Sequence, residues 1–195
     1  MYVSSRVAGE RVMRGIRTFL EEALHLRVNA AKSAVARPWQ RKFLGYSVTA
    51  HRQSRLRIAP ESVRRLRQRI REQLRRGRGR SLAHTIETLN PLLRGWITYF
   101  QLTESRGVLE QLDGWVRHRL RCLLWRQWKR PRTRARKLIA LGLDGERAWS
   151  SAMSGRGPWW NAGASHMHTA VPTAALTRMG LVSLLQTQQR LQCVR

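Results

Sequence analysis

Arginine is the residue best placed to do chemistry in this sequence, and its spacing suggests with what. Arg64, Arg65, Arg67, Arg69, Arg71, Arg75 and Arg76 fall in one stretch, with only Glu61 and Glu72 to offset them. A guanidinium is permanently charged, and its planar fork of donors matches the oxygens of a phosphate. So many like charges on one segment repel one another unless an external polyanion faces them. The competing reading is a solvated helix face. A second constellation interleaves Trp125 and Trp128 with Arg126, Lys129 and Arg130. Indole faces beside cations suit stacking on unpaired bases while phosphates are held. Burial of both indoles in a helical core competes with that reading. Further candidate phosphate contacts are Lys32, Arg41, Lys42, Arg78, Arg80 and Arg94. The short stretch Gly77-Arg78-Gly79-Arg80 reads as a flexible basic loop.

The whole composition agrees with a polyanionic partner. Lys and Arg number 38 against 11 Asp and Glu, a formal net charge of +27. Nucleic acid is the first candidate for that charge and an anionic surface the second. With 195 residues, 42% of them hydrophobic, the chain can bury a core. No apolar run approaches the roughly 20 residues that span a bilayer. The N-terminus lacks the hydrophobic core of a signal peptide, so a cytoplasmic setting without membrane contact is expected. Cys122 and Cys193 stand far apart, and His166 and His168 have no further ligands nearby, so no metal site is expected. The aspartates, Asp113 and Asp144, fall in different elements. Asp144 reads as a turn residue before Gly145, and Asp113 as a residue on a helix surface.

The elements that must position these groups follow from periodicity and punctuation. Tyr2-Val3 reads as part of a strand. Glu10 to Leu24 predicts an amphipathic helix with Val12, Ile16, Phe19, Leu20 and Ala23 inward. Leu26–Val28 reads as a short strand, and the segment from Asn29 to Ser33 as a turn. Residues 41–48 and 55–58 predict a hairpin in which Leu44, Tyr46 and Val48 alternate with Phe43, Gly45 and Ser47. From Pro60 the pattern turns helical, with Val63, Leu66, Ile70 and Leu74 as a narrow apolar stripe. Ser81 predicts the N-cap of a helix carrying Leu82, Ile86 and Leu89. Asn90 followed by Pro91 predicts a corner and a second N-terminus, since proline fits the first helical position. Leu92, Leu93, Trp96, Tyr99 and Phe100 then mark an apolar face. Gly95 in that helix implies close approach of another backbone. Val108, Leu112, Trp115, Val116 and Leu123 mark a long helix whose stripe decays towards its end. Pro131 ends it, and Gly142 closes the basic segment after it as a C-cap. Trp159-Trp160 could pack over the helices or present an aromatic surface. Short helices are expected at about residues 173–179 and 181–191.

Leu89-Asn90-Pro91, Leu93-Arg94-Gly95-Trp96 and Tyr99-Phe100 together resemble the signature of the maturase-specific domain of group II intron reverse transcriptases. Leu26-Arg27-Val28-Asn29 through Lys32-Ser33, and Lys42-Phe43-Leu44-Gly45-Tyr46, resemble the last two palm segments of the same family. The stretch from Leu141-Gly142-Leu143-Asp144 to Trp159-Trp160-Asn161 is similar to the C-terminal end of bacterial group II intron proteins without an endonuclease. The resemblance implies a mainly α fold: a helical thumb or maturase bundle preceded by a small α+β remnant of a reverse-transcriptase palm. It divides the chain into 1–59, the end of the palm, 60–130, the maturase domain, and 131–195, a basic helical extension. Gly45, Asn90, Pro91, Gly95, Trp96 and Tyr99 become its structural signature.

The resemblance also bears on mechanism. The family's Tyr-x-Asp-Asp turn, whose carboxylates hold the polymerase metals, has no counterpart in this sequence. No cofactor is expected in the chain itself; Mg²⁺ belongs to the parent polymerase and to the intron RNA. The implied function is that of a maturase fragment that binds group II intron RNA in the bacterial cytoplasm and assists its splicing, without being an enzyme alone. Other readings stay open. The chain could complete a split reverse transcriptase with a separately encoded N-terminal half, be a degenerate fragment, or bind nucleic acid generally.

Overall fold

The computed structural model describes residues 3–30, 32–76 and 79–193. Tyr2 of the expected first strand, and Gly77 and Arg78 of the basic loop, lie outside them. Val3 is exposed and belongs to no strand. The Ser5 hydroxyl accepts from the Ala8 amide at 3.2 Å and opens α1 (Arg6–Thr18), so the helix starts one turn before Glu10. Its last turn widens into a π-helical turn over Phe19–Ala23. Gly9 is where the next segment crosses: a Cβ there would stand 2.6 Å from a methyl of Val35. The expected inner face is largely open, with Ile16 and Phe19 exposed, because α1 has little of the chain to pack against. Leu26–Val28 forms no strand; the Leu26 amide donates to Leu20 instead, at 2.8 Å. The turn at Asn29 is present, held by the amides of Lys32 and Ser33.

The hairpin forms but is shorter than the alternation suggested. Leu44 (φ 50°) and Gly45 (φ 78°) form a two-residue turn with both residues left-handed, and Phe43 and Tyr46 exchange hydrogen bonds across it at 2.9 Å. That geometry is the mirror-image turn that suits hairpin twist. It ejects Phe43 and Leu44 into solvent, and along β1 Ser47 is the buried residue while Tyr46 and Val48 are half-buried, so the expected alternation does not form. Strand β1 (Tyr46–Val48) pairs antiparallel with β2 (Leu56–Ile58), with Tyr46 opposite Ile58. Gly45 is doubly constrained, because a Cβ there would also meet the Phe100 ring at 3.0 Å. The turn is fastened to the helices by hydrogen bonds from Tyr99 Oη to the Leu44 carbonyl (2.9 Å) and from Ser62 Oγ to the Gly45 carbonyl (3.1 Å). Tyr46 Oη returns a bond to the Tyr99 carbonyl at 2.7 Å. Two stretches singled out in the sequence thus lock together.

The rest is helical: α2 (Pro60–Arg76), α3 (Leu82–Tyr99), α4 (Arg106–Gln127), α5 (Pro131–Ala140), α6 (Gly145–Ala152), α7 (Pro158–Gly163), α8 (Ser165–Ala170), α9 (Thr173–Arg178) and α10 (Leu184–Cys193). The fold is therefore mainly α with a small α+β start. Leu66, Ile70 and Leu74 of α2, Ile86, Leu89, Leu93 and Ile97 of α3, and Leu109, Leu112, Val116 and Leu120 of α4 share one buried core. That core continues through Leu138, Met167, Leu176 and Leu184. The stripe of α4 does not decay: Leu123, Trp125 and Trp128 at its end are buried by the helices that follow.

No corner forms at Asn90. Ser81 caps α3 as expected, its hydroxyl accepting from His84 at 3.2 Å, but the helix then runs straight through Pro91. An interior proline removes a backbone bond and commonly costs about 3 kcal/mol. Here Glu87, whose carbonyl loses its donor, and Pro91 are both exposed, so water can serve that carbonyl. Leu89, Leu93 and Ile97 are buried on both sides of the break and keep both halves packed in the core. Asn90 is not an N-cap. Its side-chain amide donates to the Gly180 carbonyl (2.9 Å) and accepts from the Val182 amide (3.1 Å), clamping the α9–α10 link to α3. Among the described residues a Cβ at Gly95 would meet nothing within 4 Å, so no close backbone approach is seen there.

Asp113 is likewise buried rather than on a helix surface. Its carboxylate accepts from Ser183 Oγ (2.6 Å) and from the amides of Leu184 (2.8 Å) and Leu185 (3.2 Å), capping α10 from a neighbouring helix. Asp144 is the N-cap of α6, accepting from the Arg147 amide at 3.2 Å. Gly142, at φ 93°, ends α5 in a Schellman motif, with Leu143 donating to Leu138 at 3.0 Å and Gly142 to Ile139 at 2.9 Å.

Candidate nucleic-acid interface

Helix α2 has two faces because its apolar residues recur at helical spacing and arginine fills much of what remains. Leu66, Ile70 and Leu74 are buried, whereas Arg64, Arg65, Arg69, Arg71, Arg75 and Arg76 are exposed and Arg67 is half-buried. Glu61 faces Lys42 and, at 3.6 Å, Arg65. Glu72 accepts from Gln68 at 3.1 Å. Among the described residues, Arg64, Arg67, Arg69, Arg71 and Arg75 make no ion pair.

The row Arg67, Arg71 and Arg75 on α2 lies beside the row Trp115, Arg119 and Arg126 on α4. Arg67 and Arg71 place their guanidinium carbons 5.5 and 5.6 Å from the centre of the Trp115 ring, and Arg119 lies 5.2 Å from it. Arg119 also lies 4.6 Å from the ring of Trp159 on α7, and so is shared between two indoles. Further along, Arg71, Arg75, Arg119 and Arg126 line a cleft of about 180 Å³ floored by Leu74, Cys122 and Leu123. Burial, and then the nearby charges of Arg71 and Arg126, hold the Arg119 pKa below that of a free guanidinium. Trp159 also packs on His118, whose ring centre is 3.9 Å away. His118 Nε2 lies 3.0 Å from the Trp159 carbonyl, which can only accept, so that nitrogen carries the proton. Burial first, and then Arg121 and Arg119, lower the His118 pKa and favour the neutral ring.

Several expected contacts join this surface and several stand apart. Arg64, Arg67, Arg71, Arg75 and Arg126 lie on it. Lys42 is drawn to Glu61, and Arg41 is its exposed neighbour. Arg80 turns to His84, 3.0 Å away, while its carbonyl accepts from Gln127. Lys32 belongs to the N-terminal segment, Arg94 is exposed on α3, and Lys129 and Arg130 are exposed between α4 and α5. Arg78 lies outside the described residues. The Trp125 and Trp128 stacking reading fails, since both indoles are buried, with Trp125 under Arg134 at 4.7 Å and beside His166 at 5.2 Å. Of the signature residues, Gly45, Asn90 and Tyr99 hold the fold together, and Trp96 packs half-buried on Phe100 at 4.7 Å.

Sequence reasoning missed Arg119, Trp115 and Trp159 as a unit. The available signal was the Trp115–Arg119 spacing, which puts both on one helix face; nothing local could bring Trp159 to them. Among the described residues no group of three or more His, Cys, Asp or Glu is placed to hold a metal ion, and no helix is long and apolar enough to cross a membrane. Residues 63–140 match the family described as group II intron, maturase-specific domain, a segment that contains α3, α4, α5 and nearly all of α2. A search of curated proteins finds no match to the chain.

Proposed function

We propose that this chain, which carries a group II intron maturase-specific domain over residues 63–140, binds group II intron RNA and assists its splicing. The observation that carries the reading is the α2–α4 surface inside that segment, where guanidiniums gather around Trp115 with no carboxylate partner among the described residues. A folded structured RNA supplies phosphates in an irregular array, and arginine engages them bidentately. The RNA performs the transesterifications; the protein neutralises phosphate repulsion and favours the compact, reactive fold. The same proposal takes residues 1–59 as the end of a reverse-transcriptase palm and 131–195 as an extension that covers the end of α4. The parent polymerase activity is not assigned to these residues.

Charge alone gives binding of roughly 10⁻⁴–10⁻⁶ M at physiological salt, falling steeply as salt rises. Specific recognition adds several kcal/mol, in part insensitive to salt. The test is filter binding across a salt series with a group II intron RNA and an unrelated structured RNA of equal length. A preference of about tenfold or more that survives higher salt is expected. Replacing Arg64, Arg67, Arg71 and Arg75 together with Gln should weaken binding and flatten the salt slope by about 0.7–0.9 for each phosphate no longer neutralised. Equal, salt-sensitive affinity for both RNAs would sink the maturase reading and leave a general basic binder.

A further inference from the structure

We propose that the cleft between α2 and α4 seats a single backbone phosphate of the bound RNA, gripped by Arg119 from its place between Trp115 and Trp159. The inference rests on the RNA-binding reading above and deepens it: it names one site, one chemical group and one positioned side chain.

Four guanidiniums, Arg71, Arg75, Arg119 and Arg126, converge on this cleft, and among the described residues none of them is ion-paired. Like charges brought together in partial burial destabilise a fold unless an anion joins them. Among the described residues, indole faces meet Arg71 and Arg119, and neither an indole nor a carboxylate meets Arg75 or Arg126. Arg119 Nε is buried with no hydrogen-bond partner, and so is Arg67 Nε. The indoles of Trp115, 5.2 Å away, and Trp159, 4.6 Å away, rather than a hydrogen bond to Nε, therefore hold the Arg119 guanidinium in place. A guanidinium oriented in advance loses less freedom when it meets a ligand. Hydrogen bonds elsewhere keep this frame rigid, since His118 ties the Trp159 backbone to α4 at 3.0 Å.

Size selects the ligand. The cleft, at about 180 Å³, is smaller than the roughly 300 Å³ at which sites for whole small molecules begin. It suits a phosphate with part of a ribose, and its floor of Leu74, Leu123 and the weakly donating Cys122 thiol is poorly equipped to read a base edge. A polymer phosphodiester and a free phosphate share this chemistry, and the flanking row Arg67, Arg71 and Arg75 favours the polymer because it continues the positive track beyond the cleft.

The experiment compares wild type, Arg119→Gln, Arg119→Lys and Arg126→Gln by filter binding of the intron RNA over a salt series. Thermal midpoints are followed in parallel, with inorganic phosphate added at constant ionic strength. Arg119→Gln should weaken RNA binding about tenfold and lower the salt slope by the share of about one phosphate. Arg119→Lys keeps the charge but not the flat fork, and should restore the salt slope with only part of the affinity. Arg126→Gln is exposed at the rim, so it should lower the slope with an unchanged thermal midpoint even if Arg119→Gln folds poorly. Wild-type affinity and slope in both Gln variants, while the α2 quadruple variant still loses binding, would overturn the phosphate seat and leave RNA binding standing. If phosphate raises the midpoint only when Arg119 is present, yet RNA affinity ignores Arg119, the cleft is a free-anion site and the proposal fails. Indifference of RNA binding to all these variants would remove both readings.

Discussion

Two tryptophan–arginine regions of this chain are alike in composition and opposite in fate. At the end of α4, Trp125 and Trp128 stand among Arg126, Lys129, Arg130 and Arg134; in the middle of α4, Trp115 stands with Arg119, which also reaches Trp159 of α7. The first pair is buried, and Arg134 closes over it with its Nε donating to the Trp128 carbonyl at 2.8 Å. The second pair stays partly open on a face that gathers cations. Elements distant in sequence make the difference. Arg134 of α5 and His166 of α8 close over Trp125 at the end of α4, whereas α7 and α10 pack along the helix and leave Trp115 half-buried. An indole beside an arginine is thus buried in the core or left on the surface according to what a later segment covers.

The comparison can be broken most forcefully at Trp125. Trp125→Ala should destabilise the fold by about 3–5 kcal/mol, read by chemical denaturation, because it empties fully buried volume. RNA affinity should be unchanged under conditions where the variant remains folded. Reduced RNA affinity with intact stability would reverse the assignment of the two regions.

A second probe uses His166, buried beside Trp125. Burial first, and then the charge of Arg147, lower its folded pKa below the ordinary 6.5. The folded chain therefore holds the neutral ring, and above pH 6.5 this group exacts no penalty. As pH falls below 6.5 the unfolded chain takes up protons that the folded one refuses, so stability should fall towards about pH 5. Denaturation midpoints measured over that range should decline in the wild type and decline less in His166→Gln. His118 and His168, whose pKa values are lowered too, keep the variant's profile from becoming flat. Identical profiles would place His166 outside the core.

The smallest effect on the fold is expected at Trp159. Its indole is about half exposed, and its ring stacks with Arg119 and His118. Trp159→Ala should cost about 1 kcal/mol of stability while weakening RNA binding several-fold, since Arg119 loses one of its two walls. A large loss of stability without change in RNA affinity would make this region a second core and erase the contrast.

Much of this architecture was legible in the sequence, and the boundary of legibility is physical. Helix α2 and its two faces follow from the recurrence of Val63, Leu66, Ile70 and Leu74, and the start of α3 follows from Ser81. The C-terminal cap at Gly142 and the hairpin near Tyr46 were also readable. These are local matters: which residue can close a turn, which period puts side chains on one face. Pro91 shows the limit, because an N-terminal proline and a mid-helix proline look alike until Leu89, Leu93 and Ile97 are seen packed on one side. Phe43 and Leu44 show it again, since a left-handed turn at Leu44-Gly45 ends an alternation that the residue types alone would continue.

By itself, then, the sequence determined a cationic, mainly helical chain with a maturase-like signature and an arginine-rich face on α2. Tertiary structure alone decided that Asn90 and Asp113 serve the distant C-terminal helices, that Trp125 and Trp128 are core, and that Arg119 is held between two indoles. The reason is common to all of them. Charge, helical period and capping chemistry are properties of neighbours along the chain, whereas burial and the partner of a polar group are set by segments that only folding brings near.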